Sequence, residues 1–293
     1  MKLSNIFLST LAVLLCCTAC SKDEESFKGK DADASLSIAV KAAGAAVTKG
    51  FHPNDENELA GEAKVNNLSV LVFDESGAQL IGYGWQATNS EGEASILNVP
   101  AMTMRAQIVI VSNTPENSLA GVTSYSDFES KLAQLADQSQ SNLVMSSPVI
   151  TTQAPLVKGY NYLGYASMGS ENINGISEPV EITRLAARLD LVNVKTDFIK
   201  TLLRNRTVRV EEVTILNQST ASRFFSRDYW GVVMATGHLG NSDATALNRD
   251  IANGSPINDT PYVHYVMEND GSEAPTEIQV RATLLETDTY EAE

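Results

Sequence analysis

The residues that could do chemistry in this chain are few and scattered. Its three histidines, His52, His238 and His264, lie far apart, and none has a second ligand beside it at metal-site spacing. A polar loop or a strand face accounts for each of them better than a metal. The acidic run Asp55-Glu56-Asn57-Glu58 could hold calcium loosely but reads as a solvated loop. Neither a Gly-x-Ser-x-Gly elbow nor a phosphate-binding P-loop occurs. Gly82-Tyr83-Gly84 lacks the third glycine and the following helix of a dinucleotide fingerprint, and reads as a turn. Carboxylates are plentiful, yet the sequence singles out no pair for acid–base work. No catalytic residue, metal or cofactor is expected.

Chemistry done to the chain is better marked. Residues 1–19 open with Lys2, run through a short apolar core from Ile6 to Leu15, and end in Thr18-Ala19 before Cys20. A basic start, a short apolar stretch and small residues before the cut describe a secretory signal, too short to span a membrane. Cys20 at that point predicts a lipoprotein, with the cysteine acylated as the new first residue. An ordinary signal with an incidental cysteine is the plainer alternative. Residues 21–25 (SKDEE) are then a solvated linker, or resemble the acidic tag behind the lipid of Bacteroidota surface lipoproteins. Further on, Thr48-Lys49-Gly50 offers an exposed basic site to a protease.

All three cysteines, Cys16, Cys17 and Cys20, sit in or at the end of the signal, so the mature fold holds no disulfide and depends on buried apolar area. About 270 mature residues suffice for one large or two ordinary domains. The formal charge of −15 lacks any basic patch, which argues against nucleic acid. No long apolar span follows the signal, so membrane attachment would rest on lipid alone.

The elements that must position these sites read as strands. Residues 35–41 alternate, with Leu36, Ile38 and Val40 on one face. A small, bland stretch and the polar residues 52–58 separate them from the rest, as a cleavable loop or as a long first loop. Residues 66–74 (NNLSVLVFD) carry apolar residues on both faces, turn at Glu75-Ser76-Gly77 and return over 79–85. Residues 105–112 read as a fully buried strand. Ser126 and Glu129 form a capping box for a helix whose stripe, Phe128, Leu132, Leu135 and Ala136, runs to about Asp137. Strands are expected over 142–150 and 157–166.

Residues 181–194 (EITRLAARLDLVNV) organise the second half. Leu185, Ala187, Leu189 and Leu191 alternate with Arg184, Arg188 and Asp190, which predicts one strand with a core face and a wet face. A short helix is expected over 197–204, with Phe198 and Leu202 on one face. In 207–216 the apolar phase shifts between Val210 and Val213, which predicts a β-bulge at Glu211-Glu212. Residues 219–249 read as irregular, with Tyr229-Trp230 buried, and 250–261 as a polar loop. Strands follow at 262–267 and 276–285, the last with Ile278, Val280, Ala282 and Leu284 on one face. Short alternating strands with few helices argue for β-sandwiches.

Several strings together resemble the Bacteroidota fimbrillins, the FimA-like and Mfa-like subunits of surface fimbriae. They are the lipoprotein start, residues 67–74 (NLSVLVFD) with Gly77 behind, Val144-Met145-Ser146, residues 183–191 (TRLAARLDL) and residues 262–269 (YVHYVMEN). The resemblance implies an all-β fold of two transthyretin-like β-sandwich domains with one or two short helices. On that basis 1–19 is the lipoprotein signal, 20–49 a propeptide with a removable strand, 50–180 the first sandwich and 181–293 the second. It implies export to the outer membrane as a lipoprotein and assembly with other fimbrial subunits by strand exchange after a trypsin-like protease acts. Carried over by residue, Cys20 is acylated, the cut falls between Lys49 and Gly50, and Leu36, Ile38 and Val40 belong to the displaced strand. The best-known members use Arg at that cut. Members generally continue past 276–285 into further strands that include the donor, so the ending implies a shortened chain or a subunit that accepts without donating. A main-shaft subunit, an accessory anchor or tip subunit, and a glycan-binding surface lipoprotein remain open, with no host or bacterial receptor named.

Overall fold

A computed structural model describes residues 31–43, 59–191, 193–224, 234–257 and 262–285. Five strands open it: β1 (Ala34–Ala42), β2 (Lys64–Asp74), β3 (Leu80–Glu91), β4 (Glu93–Ala101) and β5 (Ala106–Ser112). A short helix, α1 (Tyr125–Ser130), comes next. Then follow β6 (Leu132–Gln134), β7 (Met145–Ser146), β8 (Ile150–Thr151), β9 (Gly159–Leu163) and β10 (Val180–Arg184). The second half contains β11 (Ala186–Leu191), β12 (Thr207–Leu216), β13 (Gln218–Ser219) and β14 (Ala221–Arg223). It ends with β15 (Leu239–Gly240), β16 (Thr245–Ala252), β17 (Tyr262–Met267) and β18 (Glu277–Leu285). The described chain is mostly β.

The first sheet closes on itself. Its order runs β10-β7-β5-β2-β3-β4-β1, and β1 pairs back onto β10. The apolar residues of β2 explain the layering. Leu68, Val70 and Val72 point into the closed interior, while Leu71 and Phe73 point to a second cluster under α1. Phe128 of α1 fills that outer cluster, together with Leu185, Phe224 and Met267 from the second half. Both faces of β2 are therefore dry, as its sequence predicts. The β2–β3 turn is held by Asp74, whose Oδ1 accepts from the Ala78 amide at 2.8 Å, with Gly77 at φ +75°.

In the second half β11, β17, β13 and β15 form one sheet, and β16, β12 and β18 another. They meet over Val213, Ile215 and Tyr262, with Leu189, Leu191 and Leu247 at the margin. The register of β12 shifts between Val210 and Glu212 against both neighbours, which is the expected bulge. It leaves Val210, Val213 and Ile215 all buried.

Several elements differ from expectation. Residues 181–194 are not one strand. Strand β10 belongs to the first sheet, β11 pairs with β17, and the chain changes sheets at buried Leu185. Within β11, Ala186 is buried and Ala187 exposed, opposite to the expected phase. Gly82 and Gly84 lie inside β3 rather than in a turn. A Cβ on Gly82 would sit 2.7 Å from the Pro100 carbonyl oxygen, and one on Gly84 would sit 2.8 Å from Val99, so glycine lets β4 approach. The helix cap is Ser124, accepting from the Asp127 amide, and α1 stops at Ser130 because Lys131 turns to extended geometry. Leu132 then starts a strand. The 197–204 helix reduces to one 3-10 turn, Thr201–Leu203, with Leu202 exposed. Residues 245–252, read as irregular and loop, form β16. Tyr229 and Trp230 lie outside the described residues.

Candidate functional site

Strand β1 lies where the first sheet closes. It runs antiparallel to β4 along one edge. Along the other it runs parallel to β9 over Ala34–Ile38 and to β10 over Val40–Ala42. Leu36, Ile38 and Val40 are each 0% exposed and belong to the interior cluster. Burial of three such side chains stabilises the fold by roughly 5–9 kcal/mol, comparable with the whole net stability of an ordinary domain. Among the described residues β1 is the first strand, and it contributes a full row to the core.

Polar contacts fix its ends and register. Asp33 accepts the Thr103 amide at 2.8 Å through Oδ1, and its carbonyl accepts the Gly159 amide at 3.1 Å. The bond from Thr103 holds the Asp33 carboxyl below the usual carboxylate range. At the far end the Ala42 amide donates to Gly92 at 2.7 Å and the Ala43 amide to Ile182 at 2.9 Å. The Lys41–Glu181 ion pair, 3.2 Å, is exposed on both sides and adds little. Opposite Leu36 and Ile38 the register shifts, because Asn98 of β4 is an extra residue at φ +57°. Gly164, at φ +84°, passes so close that a Cβ would sit 2.6 Å from the Ala39 carbonyl oxygen.

Lys49, Gly50 and Cys20 lie outside the described residues, as does His52. The chain is described again from Leu59, whose amide donates to Glu62 Oε2 at 2.9 Å. Buried Glu62 is the centre of a polar cluster that the sequence reading missed. Its carboxylate accepts from Arg188 at 2.7 Å and from the Tyr265 hydroxyl at 2.7 Å, and its carbonyl accepts from Arg184 Nε at 3.0 Å. Arg188 also meets Asp190 at 2.9 Å. The expected wet face of β11 is thus a set of charges seated against the first half. The spacing of Arg184 and Arg188 was the available signal: two arginines flanking Leu-Ala-Ala both reach one carboxylate-bearing residue. Burial, with the Glu62 carboxylate beside it, raises the Tyr265 hydroxyl well above its ordinary value.

Other candidates hold less. His264 bonds Gln218 at 2.8 Å and stacks on Tyr262 with ring centres 5.9 Å apart. Among the described residues no group of three or more His, Cys, Asp or Glu could hold a metal, and no helix is long and apolar enough to cross a membrane. A cleft of about 560 Å³ lies between the end of β5, the β6 segment and Phe224. Most of its amide side chains are engaged internally. Asn113 bonds the backbone of Asn66, Lys64 and Leu143, and Gln138 accepts the Val144 amide.

Comparison with known proteins gives a consistent neighbourhood. Residues 34–184 match the family described as major fimbrial subunit protein (FimA), and residues 185–293 the C-terminal domain of the Fim1C-like fimbrium tip subunit. A candidate fimbrium tip subunit Fim1C of Parabacteroides distasonis is 46% identical over 99% of this chain and 77% of its own. The major fimbrium subunit FimA type-2 of Porphyromonas gingivalis is 26% identical over 98% of this chain and 74% of its own. The crystal structure of a candidate cell adhesion protein from P. distasonis superposes with a TM-score of 0.81 at 45% identity, covering 87% of this chain and 77% of that one.

Proposed function

The chain belongs to the FimA family of fimbrial subunits, and from that premise we propose that it is a tip subunit, exported as a lipoprotein and joined to its neighbour by strand exchange at β1. The observation that carries the exchange is the sheet closure. Removing β1 would expose the edges of β4, β9 and β10 together with an apolar slot. An incoming strand satisfies both the free backbone and the slot. The tip role is supported by the 46% identity to a candidate tip subunit, against 26% to a main subunit; a main-shaft role is the alternative. The place of function is the fimbrium on the cell surface.

In this reading Cys20 carries the lipid that holds the precursor at the outer membrane. A trypsin-like protease cuts between Lys49 and Gly50, and Leu36, Ile38 and Val40 leave with the first segment. Lys49 is the one lysine or arginine between Ala43 and Leu59, and both ends of that stretch are anchored, at Ile182 and at Glu62. The two halves, changing at Leu185, correspond to two transthyretin-like domains. Intramolecular β1 competes with any partner strand at high effective concentration, so cleavage must come first.

The test compares the unmodified chain with Lys49→Ala, each treated with a trypsin-like protease and mixed with a full-length fimbrial subunit. Complexes that survive detergent are expected for the unmodified chain alone. If the Lys49→Ala chain, left uncut between positions 43 and 59, forms them equally well, exchange at β1 is wrong.

A further inference from the structure

The slots that β1 fills are not all alike. Leu36, Ile38 and Val40 enter the interior, but Ser37 points to the other face and is still only 6% exposed. Two strands enclose it. On one side lies Tyr162 of β9, its register partner. On the other lies the bulge of β4, where Leu36 pairs with Val99 and Ile38 with Ile96, so that Leu97 and Asn98 stand opposite the single residue Ser37. A bulge leaves an amide without a ladder partner. Here the Asn98 amide donates to Ser37 Oγ at 3.3 Å, while Asn98 Oδ1 accepts from Ser35 Oγ at 3.4 Å. Asn98 therefore meets two hydroxyls of β1, one on its amide and one on its side chain.

We propose that position 37 is a specificity slot: the groove accepts a strand that carries a small hydroxyl residue between the first two of three alternate apolar residues. The inference rests on the strand-exchange reading and adds to it a selection rule. The hydroxyl takes the place of the missing ladder acceptor, which alanine cannot do. The confined space between the bulge and β9 excludes a large side chain, since overpacking a closed site forces its walls apart. The three apolar slots set only hydrophobic pattern, and many strands satisfy that. Position 37 distinguishes among them.

The experiment uses the full chain cleaved between positions 43 and 59, with the protease then inhibited. Labelled peptides with the sequence of residues 34–42 compete with the retained strand, and bound label is measured by gel filtration. The unaltered and S37T peptides should exchange alike. The S37A peptide should bind about fivefold more weakly, and S37L at least about tenfold more weakly. Either S37A or S37L binding within twofold of the unaltered peptide overturns the slot while leaving strand exchange standing. Failure of the unaltered peptide to enter a cleaved chain that keeps its β circular-dichroism spectrum overturns both.

Discussion

Arg188 Nη1 lies 2.7 Å from Glu62 Oε2, and the Glu62 side chain is only 5% exposed. This pair joins the stretch just before β2 to the first strand of the second half. Among the described residues Glu62 bonds with Leu59, Arg184, Arg188 and Tyr265. Such a carboxylate is tolerable in a buried place only while its cation stays.

Arg188→Ala should therefore destabilise the fold by about 3–5 kcal/mol, the usual cost of stranding a buried charge. Leu189→Ala, at the margin of the second core, should cost less, because its side chain is only partly buried. Urea unfolding of both variants measures the order. A smaller loss for Arg188→Ala than for Leu189→Ala would mean that Glu62 finds its stabilisation elsewhere.

Two glycines near β1 separate backbone strain from collision. Gly159 and Gly164 both have positive φ, +90° and +84°, but a Cβ on Gly159 meets nothing within 4 Å. Gly159→Ala should cost about 1 kcal/mol from conformation alone. Gly164→Ala should cost roughly 2–4 kcal/mol, since its methyl also strikes the β1 backbone. Equal shifts in urea midpoint would show that β1 moves aside freely.

His264 supplies a pH dependence. Burial lowers its pKa below the ordinary 6.5, so the folded chain takes up its proton less readily than the unfolded one. The unfolded state then binds more protons as pH falls through about 6.5, and stability falls with it. The contribution is fully present above that value and is lost on acidification. His264→Gln, which removes the titration, should lose less stability than the unmodified chain between pH 7 and pH 5. Parallel losses in thermal unfolding would contradict this.

Local alternation revealed β1, continuous apolar runs revealed β2 and β5, and the phase shift in β12 revealed its bulge. Each pattern reports which side chains share a face. It does not report what lies across from that face. Ile278, Val280 and Leu284 do alternate in β18, and they sit in register with Ile215, Val213 and Val208. Yet they are 47%, 45% and 44% exposed, because coverage depends on a second layer the alternation does not encode. The charges of β11 failed in the opposite direction. Arg188 looks solvated until Glu62, distant in sequence, comes against it. The helix misreading was local: Ser124 and Ser126 both precede an acidic residue by three, and only the backbone at Lys131 settles where the turn ends. Within the site, the three apolar slots were legible, whereas Asn98 and Gly164 act through backbone conformation, which side-chain pattern does not carry.

The pairing of β1 on both edges also sets how that place in the sheet bears tension. A strand held along its whole length and pulled along its own axis loads its hydrogen bonds together, in shear. A strand peeled from one end breaks them singly, and far less force is needed. With β4 antiparallel on one side and β9 and β10 parallel on the other, a pull along β1 meets resistance from both flanks at once. Any strand seated there inherits the same geometry. A pull along the strand axis is therefore the direction in which this place in the sheet resists most.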